Sequence, residues 1–476
     1  MAIIPQPSLF SWQQIDSASD LHRLKLVLAA LPDEPLVRFL EQRRGRGRDD
    51  YPVRPMWNAL IAGIVFQHPS AAALIRELWR NAELRQLCGF DPLRGMGAAP
   101  TDDAFGRFLE LCVEHRDQLE QMFHRLVDEL SHELPVLGRR LAVDAKGIRS
   151  AGRAVKDELK RHEPDGRRDL DADWGTKTYK GSRADGTAWE RVARWFGYKL
   201  HLLVDSTTEL PLGFKLTEAS ASDTPELLPL VEELDDQHET LCERAEQLAA
   251  DKGYDSADNN AKLYDEYGIV PVIDNRELWK EQPGKPRVLF GGRVDVALYD
   301  ERGKVYCQPP TERRGADELR EMVFVGFEKD RGCLKYRCPA AFYGLECQGR
   351  AECESLAPLG VGEFGRTVRV PLELDRRISP CSRPLDAPRW RAKFTPMARP
   401  TAKWQKAYHR RTAVERVNAR LDRVLGFEEH FIRGRAKMEA RVTLALLVML
   451  AMALGRIRAD QAKLMRSLTA PVRRAS

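Results

Sequence analysis

The chain has 476 residues, 43% hydrophobic and 31% charged, with a formal net charge of +5. This is enough for two or three domains and a sizeable core, and it excludes a disordered or low-complexity chain. The start, MAIIPQPSLFSWQQ, lacks the basic-then-apolar order of a signal peptide, and the longest apolar run, Val442–Leu454, is too short to span a bilayer. A cytoplasmic protein without a membrane partner is expected.

Residues 1–135 carry apolar side chains at helical spacing over Leu21–Leu31, Pro55–Gln67, Ala71–Leu87 and Asp102–Leu130. Pro100-Thr101-Asp102-Asp103 supplies a capped helix start. Arg43-Arg44-Gly45-Arg46-Gly47-Arg48 reads as a basic loop, either a phosphate grip or an ordinary solvated turn.

Strand signals follow. Arg140–Val143 is short and apolar and is expected to end at Asp144, and Lys156–Asp185 reads as a charged, mobile insert. Gly197–Val204 and Leu212–Leu216 read as strands, and Asp223-Thr224-Pro225 is expected to cap a helix over Glu226–Leu234. Strand Gln247–Ala250 ends at Asp251, before helix Ser256–Tyr267 and strand Ile269–Ile273. The order β, β, β, α, β, α, β predicts a mixed α/β domain. From about 280 to 390 glycine, proline and short strands (Val294–Tyr299, Glu321–Glu328) suggest an insertion. Helical periodicity returns over Thr401–Leu425 and again over Met438–Ala459.

The charge is uneven. Arg389 to Arg441 holds 15 Lys/Arg against 5 Asp/Glu, which suggests either a polyanion-binding surface or a solvated helix face. Six of the nine cysteines fall between 307 and 381. The loose spacing of Cys333, Cys338, Cys347 and Cys353 leaves open one structural zinc or a set of buried thiols.

The chemistry points to carboxylates. Asp144 and Asp251 each follow a strand, at the sheet end where open α/β folds place their sites. Taken singly, such an aspartate is more often a turn residue. If the strands are neighbours, the two acids converge and need a cation between them; oxygen ligands favour Mg²⁺ or Mn²⁺. Trp404, Tyr408, Arg411 and Glu415, spaced +4, +3 and +4, are expected to share a helix face that lines a site, or else forms a salt-bridged surface.

Tyr408, Arg411 and Glu415 in YHRRTAVE, with Phe196-Gly197-Tyr198-Lys199-Leu200-His201 and Ala250-Asp251-Lys252-Gly253-Tyr254-Asp255, resemble the DDE transposases of bacterial insertion sequences. The branch resembled has a Tyr-x2-Arg-x3-Glu-x6-Lys signature. Glu77-Leu78-Trp79 and Thr101–Phe108 are similar to the helical domain that precedes the core in that family. The signature's lysine falls on Asp422, with Arg420 and Arg423 nearby as substitutes.

This resemblance implies an RNase H-like α/β catalytic core over 136–279 and 391–460. It also implies an N-terminal helical domain over 1–135 for DNA-end binding, a β-rich, Cys-containing insertion over 280–390 and a basic tail over 461–476. Asp144, Asp251 and Glu415 become the catalytic and metal-binding triad, loaded with Mg²⁺ or Mn²⁺. Tyr408, Arg411, Arg420 and Arg423 become contacts to DNA. The implied reaction is metal-dependent cleavage at element ends and strand transfer into target duplex by a homodimer. A nuclease that cannot join, or an inactive DNA-binding derivative, remains the alternative.

Overall fold

The computed structural model describes residues 20–44, 50–154, 167–183, 185–276, 279, 285–289, 297–307, 319–347, 350, 367–374 and 390–472. The chain forms two compact units. The first comprises Met1–Leu137, Ala145–Ala221 and Val414–Ser476, and the second Gly138–Asp144 and Ser222–Ala413.

The first unit opens with helices α1 (Leu21–Ala30), α2 (Glu34–Arg44), α3 (Val53–Val65), α4 (Ala71–Arg80), α5 (Ala82–Cys88), α6 (Asp102–Glu114) and α7 (Arg116–Glu133). Two expected helices are divided. Asn81 accepts from Leu84 N at 2.9 Å and so starts α5 afresh, and the second break falls at His115. Helix α2 escapes sequence reading because Pro35 resembles a breaker; in a first turn the missing N–H has no intrahelical acceptor to lose. Thr101 caps α6 as expected, accepting from Ala104 N. Of the basic loop, Arg43 and Arg44 close α2, with Arg44 bound to the Tyr51 carbonyl. Residues 45–49 lie outside the described residues.

Strand β1 runs over Arg140–Arg149, so Asp144 lies within the strand and not after it. Residues 173–182, expected within a charged insert, form β2 (Asp173–Ser182), paired along its length with the first half of β3 (Ala188–Asp205). Residues 156–166 and 184 of that insert lie outside the described residues. The second half of β3 pairs with β4 (Leu210–Glu218). Gly197 lies in β3 where pairing passes from β2 to β4. A Cβ there would stand 2.1 Å from the Ile148 carbonyl, so the close approach of β3 to β1 requires glycine.

In the second unit, α8 (Leu227–Arg244) follows a 3₁₀ turn. Asp223 makes no side-chain capping bond there, contrary to expectation. Strands β5 (Gln247–Ala250) and β6 (Val270–Ile273) flank α9 (Ala257–Asp265), and β1-β5-β6 pair in parallel. Residues between β6 and Trp390 build two small antiparallel sheets. One contains β7 (Arg287–Val288), β8 (Ala297–Tyr299), β9 (Val305–Cys307) and β10 (Arg320–Glu321). The other contains β11 (Val323–Glu328), β12 (Cys333–Arg337) and β13 (Thr367–Pro371), with α10 (Pro339–Tyr343) after β12. Tyr299, Leu334, Val370 and Phe394 share their core. Cys333, Cys338 and Cys347 are free thiols that gather into no ligand cluster among the described residues; Cys353 and Cys381 lie outside these. Helix α11 (Trp390–Lys393) leads to α12 (Ala402–Tyr408) and a 3₁₀ turn, His409–Arg411.

The chain then returns to the first unit with α13 (Thr412–Leu425) and α14 (Arg435–Arg458). Helix α14 is long and apolar enough to cross a membrane, but its apolar stretch is mostly buried within the fold. Gly455 lets it press on α1, since a Cβ would meet Leu26 at 2.2 Å.

Candidate active site

The register of β1 against β5 decides the geometry. Val143 pairs with Ala250 in parallel, so the next residues, Asp144 within β1 and Asp251 just past β5, stand side by side. Neighbouring strands are roughly 4.8 Å apart. Ala250 also pairs with Ile273, so Asp274 follows in the same row. Sequence reading missed Asp274, although the strand-end rule applies to it equally.

Further acids surround the row. Burial raises the Tyr254 hydroxyl well above its ordinary range, and Asp223, Asp144, Asp251 and Glu226 add to it in that order. The Asp223 carboxylate faces Gly253, where a Cβ would meet Oδ2 at 3.0 Å. The loop carrying Asp251 is held from below. Arg276 donates to the carbonyls of Lys252 and Gly253, Thr224 Oγ1 to that of Gly253, and Asn259 Nδ2 to that of Tyr254. Asp255, buried, is bound by Asn260 and by the buried guanidinium of Arg399 at 3.5 Å. Arg399 Nε also donates to the Ile273 carbonyl, tying the loop to the end of β6.

The expected helix face is only partly a site. The helix breaks at His409, and Trp404 is 3% exposed, packed with Ala249, Val272 and Ala407. It belongs to the core and supports Tyr408, whose ring stacks on it at 4.8 Å. Burial, then Asp274, push the Tyr408 hydroxyl up to about 12. Arg411 lies over the Tyr408 ring, and its Nη1 donates to Asp144 Oδ2 at 3.1 Å. Tyr408 and Arg411 thus meet the aspartate row.

Glu415 is exposed in the first turn of α13, in the first unit. Within that unit Arg420 is bound to Glu209, through its Oε2 at 2.8 Å and its carbonyl at 2.7 Å, and Arg423 is exposed. Asp422 accepts from Lys146 Nζ at 2.8 Å. Much of the basic block is likewise engaged internally. Arg391 binds Asp265, Arg416 binds Glu209, and Arg441 donates to the carbonyls of Gly426 and Phe427.

The donors in the row, Asp144, Asp251 and Asp274, and in the nearby Asp223 and Glu226 are carboxylate oxygens. Such a set suits a hard divalent cation. Residues 137–451 match the family model described as Transposase DDE domain, and residues 13–110 match Transposase domain (DUF772). The chain belongs to the DDE transposases. No curated protein matches it. The transposase is therefore a DNA-binding enzyme of phosphodiester chemistry, and its family generally uses divalent metal ions. Helices α1 to α5 and the start of α6 fall within the second match, and the row of aspartates within the first.

Proposed function

We propose that Asp144, Asp251 and Glu415 are the metal-binding triad of an RNase H-like core of the Tyr-x2-Arg-x3-Glu branch, loaded with Mg²⁺ or Mn²⁺. The observation that carries this reading is the parallel register that sets Asp144 beside Asp251, with Arg411 bonded to Asp144. Two like charges so close need a cation, and Arg411 supplies only one positive charge. Glu415 enters through the chain: it lies four residues, about one helical turn, beyond Arg411.

When bound, the ions activate a water or a 3′-hydroxyl and stabilise the leaving oxygen of an in-line displacement. The protein's own residues then have distinct tasks. The β1 and β5 strands fix the angle between the two aspartates. Arg411, planar and forked, is suited to hold a phosphate beside them, and Tyr408, backed by Trp404, presents a rigid ring to the DNA end. Arg423 and Arg420 supply further phosphate contacts, with Arg420 shared with Glu209. We place this chemistry at the inverted repeats of an insertion element, carried out by a homodimer in the cytoplasm.

A linear duplex ending in the element's inverted repeat tests the reading. Cleavage at the end followed by joining to a target plasmid is expected. Cleavage without joining would favour a nuclease of the same fold, and metal-dependent cleavage of neither strand would favour an inactive binder.

A further inference from the structure

The β2–β3 hairpin is a two-stranded ribbon with ten residues in β2, an arm of roughly 30 Å. Every residue from Thr176 to Tyr179 on β2 and from Trp189 to Val192 on β3 is exposed, so both faces of the ribbon meet solvent toward its tip. Isolated hairpins are marginal in water. This one is stiffened by aromatics laid over glycines directly across the pair. Trp195 covers Gly175 and Trp189 covers Gly181, each where a Cβ would clash with the ring. The Trp195 indole also donates to the Tyr198 carbonyl at 3.1 Å.

What the ribbon displays is specific. Trp174 is 50% exposed and Tyr179 44%, large aromatics that folding leaves in water. Cations sit on them: Lys177 lies over Tyr179 at 5.8 Å and Arg194 over Trp174 at 6.0 Å, with Arg191 directly opposite Tyr179. Among the described residues no carboxylate is paired with Lys177, Arg191 or Arg194. A two-stranded ribbon has the width of a DNA major groove, and exposed cations beside aromatics suit a phosphate-lined wall.

We infer that the β2–β3 ribbon is a DNA-gripping arm, which seats in a groove of duplex DNA through Lys177, Arg191 and Arg194. The inference rests on the DNA-processing reading for its partner and goes beyond it, because the arm lies outside the aspartate row and its supporting loop.

The test is binding of the full chain to a labelled duplex, by fluorescence anisotropy across a salt series without divalent metal. The combined reversal Lys177→Glu, Arg191→Glu, Arg194→Glu is expected to weaken affinity more than about tenfold. It should also flatten the salt dependence by about one unit of slope for each phosphate that is no longer neutralised. A control reversal at Lys329, Arg331 and Arg337, equally exposed in the second unit, changes net charge by the same amount and is expected to do much less. Equal losses in the two variants, or none in the arm variant, would overturn the inference. So would a change in oligomeric state on size exclusion with DNA affinity intact, which would assign the ribbon to a second copy of the chain. If the unaltered chain bound no duplex at all, the arm and the DNA-processing reading would both fail.

Discussion

Lys146 Nζ donates to Asp422 Oδ2 at 2.8 Å and to Glu428 Oε1 at 2.6 Å. The position where the signature places a lysine therefore carries an acid, and β1 sends an ammonium to it. Asp422 is half-buried, and burial raises its carboxyl while the Lys146 bond lowers it. Lys146→Met is expected to cost about 1–3 kcal/mol, because the acid is left without its cation. Adding Asp422→Asn should recover most of that loss. Additive costs in a urea-denaturation double-mutant cycle would show the pair to be uncoupled.

Arg399 supports the loop that presents Asp251. It is buried, and so is its partner Asp255. Arg399→Met removes one charge of a buried pair, and a loss of about 3–5 kcal/mol is expected. The thermal midpoint should fall accordingly. A change below about 1 kcal/mol would mean that Asp255 is satisfied by Asn260 and the backbone alone.

The outline of the fold was legible because strand and helix periods are strong here. Arg140–Val143 and Gln247–Ala250 are short apolar runs, and the strand-end rule reached Asp144 and Asp251 from them, although β1 continues past Asp144 to Arg149. Asp274 escaped it because β6 closes the alternating series, with no helix directly after it to mark the turn. Other features depend on tertiary context. Trp404 sits on an apparently mixed face, yet β5 and β6 bury it. The ribbon over 173–197 is rich in charge and glycine, and only cross-strand aromatics make its glycines compatible with a strand. The positive count of 389–441 overstated the bare charge, because ion-pair partners such as Glu209 lie far away in sequence.

Protonation of His430 is expected to destabilise the first unit at acid pH. Burial, then Arg441, lower its pKa from 6.5 to about 4, and its Nδ1 accepts from Ile432 N at 3.1 Å. The folded chain thus holds it neutral where the unfolded chain binds a proton. Stability from this group is complete above about pH 6.5 and is lost as pH falls toward about 4. At pH 5 the loss should approach about 2 kcal/mol. His430→Gln should flatten stability between pH 7 and 5; an unchanged slope would place the acid sensitivity elsewhere.

Arg411 bridges the Tyr408 ring and Asp144. Arg411→Lys keeps the charge and loses the planar fork, so strand joining is expected to fall by about 10–100-fold with the fold intact. Joining at the unaltered rate would place Arg411 outside the reacting geometry.

The most direct measurement compares Asp144→Asn, Asp251→Asn and Glu415→Gln, one at a time, in a cleavage assay with Mg²⁺ or Mn²⁺ beside a DNA-binding assay without metal. Each change removes one charge at nearly constant size, and a carboxamide is a poor ligand for a hard cation. All three variants are expected to lose cleavage and joining while binding duplex as tightly as the unaltered chain or more tightly, since a negative charge beside the phosphates is gone. Cleavage at the unaltered rate in any one of them would contradict the triad at that residue.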